Sequence, residues 1–109
     1  MKISKITEEE IRFDNGSKIT FNNPSSCAYN YADFLYLEDE SGIFDYEFDK
    51  ELDFESAPYN SGGFRFGNGS ERMFFVPCYS EQNGYYNFDI NIYYNNKLVL
   101  IPECDLATN

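Results

Sequence analysis

Turn-forming clusters recur so closely along this chain that they cut it into short runs. They lie at Asp14-Asn15-Gly16, Asn22 to Ser26, Glu38 to Gly42, Ser56 to Gly63, Gly67-Asn68-Gly69, Gln82-Asn83-Gly84 and Asn95-Asn96. Gly, Asn and Asp tolerate the backbone angles of tight turns, and between the clusters apolar residues alternate with polar ones at the period of a half-buried strand. Ile11 and Phe13 before the first turn, with Ile19 and Phe21 after it, predict a β-hairpin. Phe64 to Phe66 and Met73 to Val76 predict a second.

The most regular alternation is Tyr86, Phe88, Ile90, Ile92 and Tyr94, followed beyond Asn95-Asn96 by Lys97 to Ile101. The aromatic content of Cys27 to Leu37 predicts a strand from Asn30 to Leu37, with one helical turn capped by Ser25 or Ser26 as the alternative at its start. From Pro102 onward a tail is expected. The resulting fold class is mainly β, with at most one short helix. It is an antiparallel meander of about seven short strands, closed as a sandwich or a partly open barrel.

Length and residue types support this reading. At 109 residues the chain is sized for a single domain, 1–109. Phe and Tyr supply 21 residues, whereas Ile, Leu and Val supply 16 and Trp none; aromatic residues suit a pleated sheet surface. The formal net charge is −11, from 19 acids and 8 bases, with no histidine. Coulomb repulsion therefore opposes direct binding to nucleic acid or to an anionic membrane, and the expected partner is a basic protein.

Cys27, Cys78 and Cys104 form neither a zinc pattern nor an even disulfide set, as expected of a cytoplasmic protein. No run approaches the ~20 apolar residues of a membrane span, and the amino terminus lacks a signal-peptide core. Without histidine no histidine-based triad is possible, and no cysteine lies in a nucleophile motif, so the chain is not expected to be an enzyme and no cofactor is implied.

The charge is not spread evenly. Asp33 to Glu55 carries −9 of the −11. Within it, I-F-D-Y-E-F-D-K-E-L-D-F-E, Ile43 to Glu55, places Asp45, Glu47, Asp49, Glu51, Asp53 and Glu55 at every second position. A helix would make four like-charge i,i+4 pairs of these acids. A strand puts all six on one face and Phe44, Tyr46, Phe48, Leu52 and Phe54 on the other. Lys50 falls on the apolar face, which predicts a hairpin tip, a bulge or a continuous edge strand with a snorkelling lysine.

Same-face neighbours about 6.7 Å apart repel by roughly 0.6 kcal/mol each in water before screening. That is a cost a merely solvated face avoids. A line of carboxylates also resembles a line of phosphates, so the leading expectation is a surface that occupies a basic nucleic-acid groove. Its candidate partner-binding residues are Glu38, Asp39, Glu40, Asp45, Glu47, Asp49, Glu51, Asp53 and Glu55, with Tyr46 and Tyr59 supplying contact area. A charge-protected edge and cation binding compete with it. Calcium is disfavoured because Phe54 stands where an EF-hand loop needs glycine, so no metal ligands are assigned.

The stretches I-R-F-D-N-G-S-K-I-T-F (Ile11 to Phe21), C-A-Y-N-Y-A-D-F (Cys27 to Phe34) and Y-S-E-Q-N-G-Y-Y (Tyr79 to Tyr86) resemble a family of small phage-associated proteins of unassigned function. The resemblance does not extend to Ile43 to Glu55. It implies a bacterial host cytoplasm as the setting. In size and charge the chain is similar to phage inhibitors of host defence, anti-CRISPR proteins among them, whose partner would be a host defence nuclease such as an RNA-guided one. The alternative is a structural or assembly protein of a phage particle.

Overall fold

Asn95 and Asn96 both adopt left-handed backbone angles, φ 51° and 68°, the conformation a two-residue hairpin turn requires. Tight turns close three hairpins, and around them the computed structural model, which describes residues 1–57 and 62–107, builds a mainly β fold. Its strands are β1 (Ile3–Ile6), β2 (Glu10–Phe13), β3 (Lys18–Asn22), β4 (Tyr29–Ala32), β5 (Asp53–Ser56), β6 (Gly63–Asn68), β7 (Arg72–Glu81), β8 (Asn91–Tyr94), β9 (Lys97–Leu100) and β10 (Asp105–Leu106).

One sheet has the order β1-β2-β3-β8-β9 and the other β10-β7-β6-β5, with β4 also on β7. One of the two is curled into a half-barrel. The hairpins foreseen from sequence form with Ile11 opposite Ile19 and with Phe66 opposite Phe74. The neighbours β3 and β8 are far apart in the chain, so the topology is not a simple meander.

Inward side chains of both sheets form one core, including Ile11, Phe13, Ile19, Phe64, Phe66, Val76 and Ile92. Rings cross between the sheets. Phe48 lies 5.6 Å from Phe13 of β2, 5.7 Å from Phe66 of β6 and 5.4 Å from Phe74 of β7.

Four local expectations are corrected. The strand from Asn30 stops at Ala32, and Phe34–Asp39 is a 3₁₀ helix. Phe34 and Leu37 are both buried; their i,i+3 spacing eclipses them on a 3₁₀ helix, whereas a strand would point them to opposite faces. The long alternating run after Gly84 becomes a strand only at Asn91, and Tyr85 and Tyr86 are both exposed. The segment after Pro102 is not a tail: Glu103 bridges Asp89, and β10 runs parallel to β7 at Tyr79 and Ser80. Ser25 does cap a turn, its Oγ accepting from the Cys27 and Ala28 amides, but no helix follows.

A polar knot sits inside the second sheet. Fully buried Asn30 donates to the Asn87 and Asp89 carbonyls at 3.0 and 2.9 Å and accepts from Ser80 Oγ. Asn30→Ala strands these partners without hydrogen bonds and is expected to cost about 2 kcal/mol, measured as a lowered urea midpoint at unchanged slope.

Candidate functional site

The acidic run is neither a continuous strand nor a free loop. Residues 41–45 form turns, with the Ile43 and Asp45 amides donating to the Glu40 and Gly42 carbonyls at 3.2 and 3.0 Å. Residues 46–49 belong to no helix, strand or turn, the chain bends at Lys50 and Glu51, and only Asp53–Ser56 joins a sheet, opposite Phe64 to Gly67. The arms on either side of Lys50 do not pair with each other, so the hairpin tip is excluded in favour of a bend. That bend turns Lys50 out to solvent.

Three separate parts of the fold lace the run in place. The Phe48 amide donates to the Met1 carbonyl at 2.7 Å, and the Met1 amino group donates to the Phe48 carbonyl at 2.7 Å. The Asp49 amide donates to Asn68 Oδ1 at 3.0 Å, and Tyr94 Oη donates to the Lys50 carbonyl at 3.0 Å. Phe48 is buried, Tyr46, Leu52 and Phe54 are half-buried, and all six acids from Asp45 to Glu55 are exposed. The two-sidedness expected of a strand therefore holds along the run although only Asp53–Ser56 joins a ladder. Phe44 is the exception, 44% exposed in the turn at residues 41–45.

Internal cations divide the acids into two sets. Glu47 pairs with the Met1 amino group, Glu40 with Arg72, and Glu55 with Arg65 at 2.9 Å. Asp49, Glu51 and Asp53 instead line one shallow depression of about 310 Å³ with Asn68, Gly69, Ser70 and Glu71 of the β6–β7 turn. Among the described residues, no Lys or Arg lines that depression.

Gly69, at φ +45°, lets the turn come close: a Cβ there would stand 2.7 Å from Asp53 Oδ2. Glu38 and Asp39 are exposed at the end of the 3₁₀ helix, and neither they nor Asp45 line the depression. Tyr46 packs inward, its ring 4.6 Å from that of Phe48 and 5.2 Å from that of Phe74. Tyr59 lies outside the described residues. Glu71 was not foreseen; only the register of the β6–β7 hairpin brings it beside the run.

Among the described residues, no group of three or more His, Cys, Asp or Glu is arranged to hold a metal ion, and no helix is long and apolar enough to cross a membrane. Cys78 and Cys104 are buried and Cys27 is exposed. A hydrogen bond with the Cys104 thiol, then burial, pushes the Cys78 thiol well above its ordinary pKa, so it stays protonated at neutral pH.

Carboxylates held together by a laced backbone repel one another more than they would in an unfolded chain, and salt relieves this. The D49N/E51Q/D53N variant is expected to melt a few degrees above the wild type at low salt, for roughly 1 kcal/mol of relieved repulsion. The gap should close in ~0.5 M NaCl, where the screening length falls below about 5 Å. Differential scanning fluorimetry at two salt concentrations measures both effects; identical melting of the two proteins at low salt contradicts the crowding of these charges. Comparison with protein-family models, with curated proteins and with solved structures finds no match to this chain.

Proposed function

We propose that this protein is a small non-enzymatic inhibitor that docks its acidic run on the basic nucleic-acid groove of a host defence nuclease, in the manner of anti-CRISPR proteins, within the bacterial cytoplasm. The observation that carries this reading is the depression at the β6–β7 turn: Asp49, Glu51 and Asp53, on a run pinned by Phe48 and by hydrogen bonds to three other parts of the fold, face solvent together with Glu71 of the turn. Preorganised carboxylates lose little freedom on binding, and Arg and Lys side chains that ordinarily hold phosphates can donate to them. The resemblance to phage-associated proteins favours a host enzyme as the target.

The test is a pull-down from bacterial lysate with wild type and with D49K/E51K/D53K. The expected result is recovery of a nucleic-acid enzyme that added duplex DNA releases and that the variant does not capture. If the folded variant binds every recovered partner as well as wild type, the mimicry reading is wrong.

A second reading, assembly into a phage particle, is favoured by the exposed apolar residues Leu98 of β9, Ile101 and Leu106, which are 51%, 52% and 42% exposed. Sheet edges with such residues support self-association. Sedimentation equilibrium separates the readings: a concentration-dependent oligomer lost in Leu98→Lys favours assembly, and a monomer favours the inhibitor.

A further inference from the structure

A second concavity, of about 240 Å³, lies where β4, the start of the 3₁₀ helix, the β1–β2 turn and the end of β7 meet. It is smaller than the roughly 300–1,000 Å³ typical of sites for drug-sized ligands and is scaled to a single side chain. Phe21 and Phe34, with ring centres 5.7 Å apart, contribute apolar lining, and Tyr29 and Tyr31, stacked 5.1 Å apart, present aromatic surface. Around them stand the carboxylates of Glu8, Asp33 and Glu81, with no Lys or Arg in the lining. None of these three carboxylates takes part in an ion pair among the described residues. Asp33 is half-buried at the N-cap of the 3₁₀ helix yet makes no capping hydrogen bond, which leaves its carboxylate available to a ligand.

We infer that this pocket binds an arginine side chain of a protein partner, its guanidinium lying against the tyrosine rings and hydrogen-bonded to Asp33. Aromatic faces attract cations, and carboxylates at the rim complete the charge complement. Arginine fits better than lysine because a planar guanidinium stacks on a ring and offers paired donors to a carboxylate, whereas an ammonium is a compact, strongly hydrated point charge. The Tyr31 phenol is held above its ordinary pKa, first by burial and then by Glu81 and Asp33, and stays neutral beside a bound cation at physiological pH. Glu81 lies nine residues from Arg72 along β7, about 30 Å at roughly 3.3 Å per residue. This pocket and the acidic depression are therefore separate surfaces whose roles stand or fall independently.

The test is a titration of the ¹⁵N-labelled protein with Nα-acetyl-arginine amide, with Nα-acetyl-lysine amide at equal ionic strength as comparator. Saturable shifts confined to the amides around Tyr29, Tyr31, Asp33 and Glu81 are expected, with the lysine compound several-fold weaker. Asp33→Asn should weaken binding roughly tenfold, the size of one hydrogen bond to a charged group. Tyr29→Ala, at a position already 53% exposed and so tolerant of substitution, should weaken it about fivefold. Shifts that never saturate, that spread equally over residues 45–55, or that survive Asp33→Asn with unchanged affinity overturn the assignment.

Discussion

Replacing Phe48 with alanine is expected to destabilise the protein by roughly 3 to 5 kcal/mol, the range for removing a buried phenylalanine. Phe48 is 1% exposed and its ring meets Phe13 from one sheet and Phe66 and Phe74 from the other. Its loss opens a void at the place where the two sheets share a side chain. Set against the ~5 to 15 kcal/mol by which domains are stable, this is a large fraction. Phe48→Leu keeps most of the volume and should cost under about 1.5 kcal/mol. Phe44→Ala, at a side chain 44% exposed, should cost less than about 1 kcal/mol. Urea midpoints measure all three. Because Phe48 also anchors the acidic run, the Asp49 amide should lose hydrogen-exchange protection in Phe48→Ala before global unfolding. Equal costs for Phe44→Ala and Phe48→Ala would mean that the run packs as one continuous strand face.

The second large effect concerns affinity. Neutralising the depression in D49N/E51Q/D53N is expected to weaken binding to a basic partner by at least roughly 30-fold, since leaving the partner's buried cations unpaired costs about 2 to 5 kcal/mol. Glu47 and Glu55 already have cations of their own in Met1 and Arg65, so E47Q/E55Q should change the affinity less than about threefold, as for exposed paired charges. An undifferentiated row of six acids predicts similar losses for both variants. Calorimetric titration against the same partner distinguishes the two patterns.

Much of this architecture was legible in the residues because local chemistry and global packing agree. Asp14-Asn15-Gly16 and Asn95-Asn96 sit at real hairpin turns, whereas at Gly67-Asn68-Gly69 the hairpin turns two residues later, over Gly69 to Glu71, because Gly67 and Asn68 still pair with Met73 and Arg72. What escaped depends on distant partners. β1 and β10 are strands only because β2 and β7 offer free edges. The alternation of Tyr86, Phe88 and Ile90 resembled a strand, but the chain there spends its backbone bonds on Gln82, Asn87 and the segment around Pro102.

In the acidic run, sidedness followed from parity, and Lys50 marked an irregularity that the residues left open between a hairpin tip, a bulge and a continuous edge strand. Which acids are neutralised did not follow. Arg65, Arg72, Glu71 and the amino terminus approach only after the sheets form, and nothing in the spacing of the run announces them.

The central claim, that these carboxylates occupy the place of phosphates, is tested most directly by an equilibrium competition on the nuclease recovered with this protein. If the two ligands share a groove, the apparent Kd for the protein rises in proportion to the concentration of duplex DNA. A complex in which saturating DNA leaves that Kd unchanged would contradict the account.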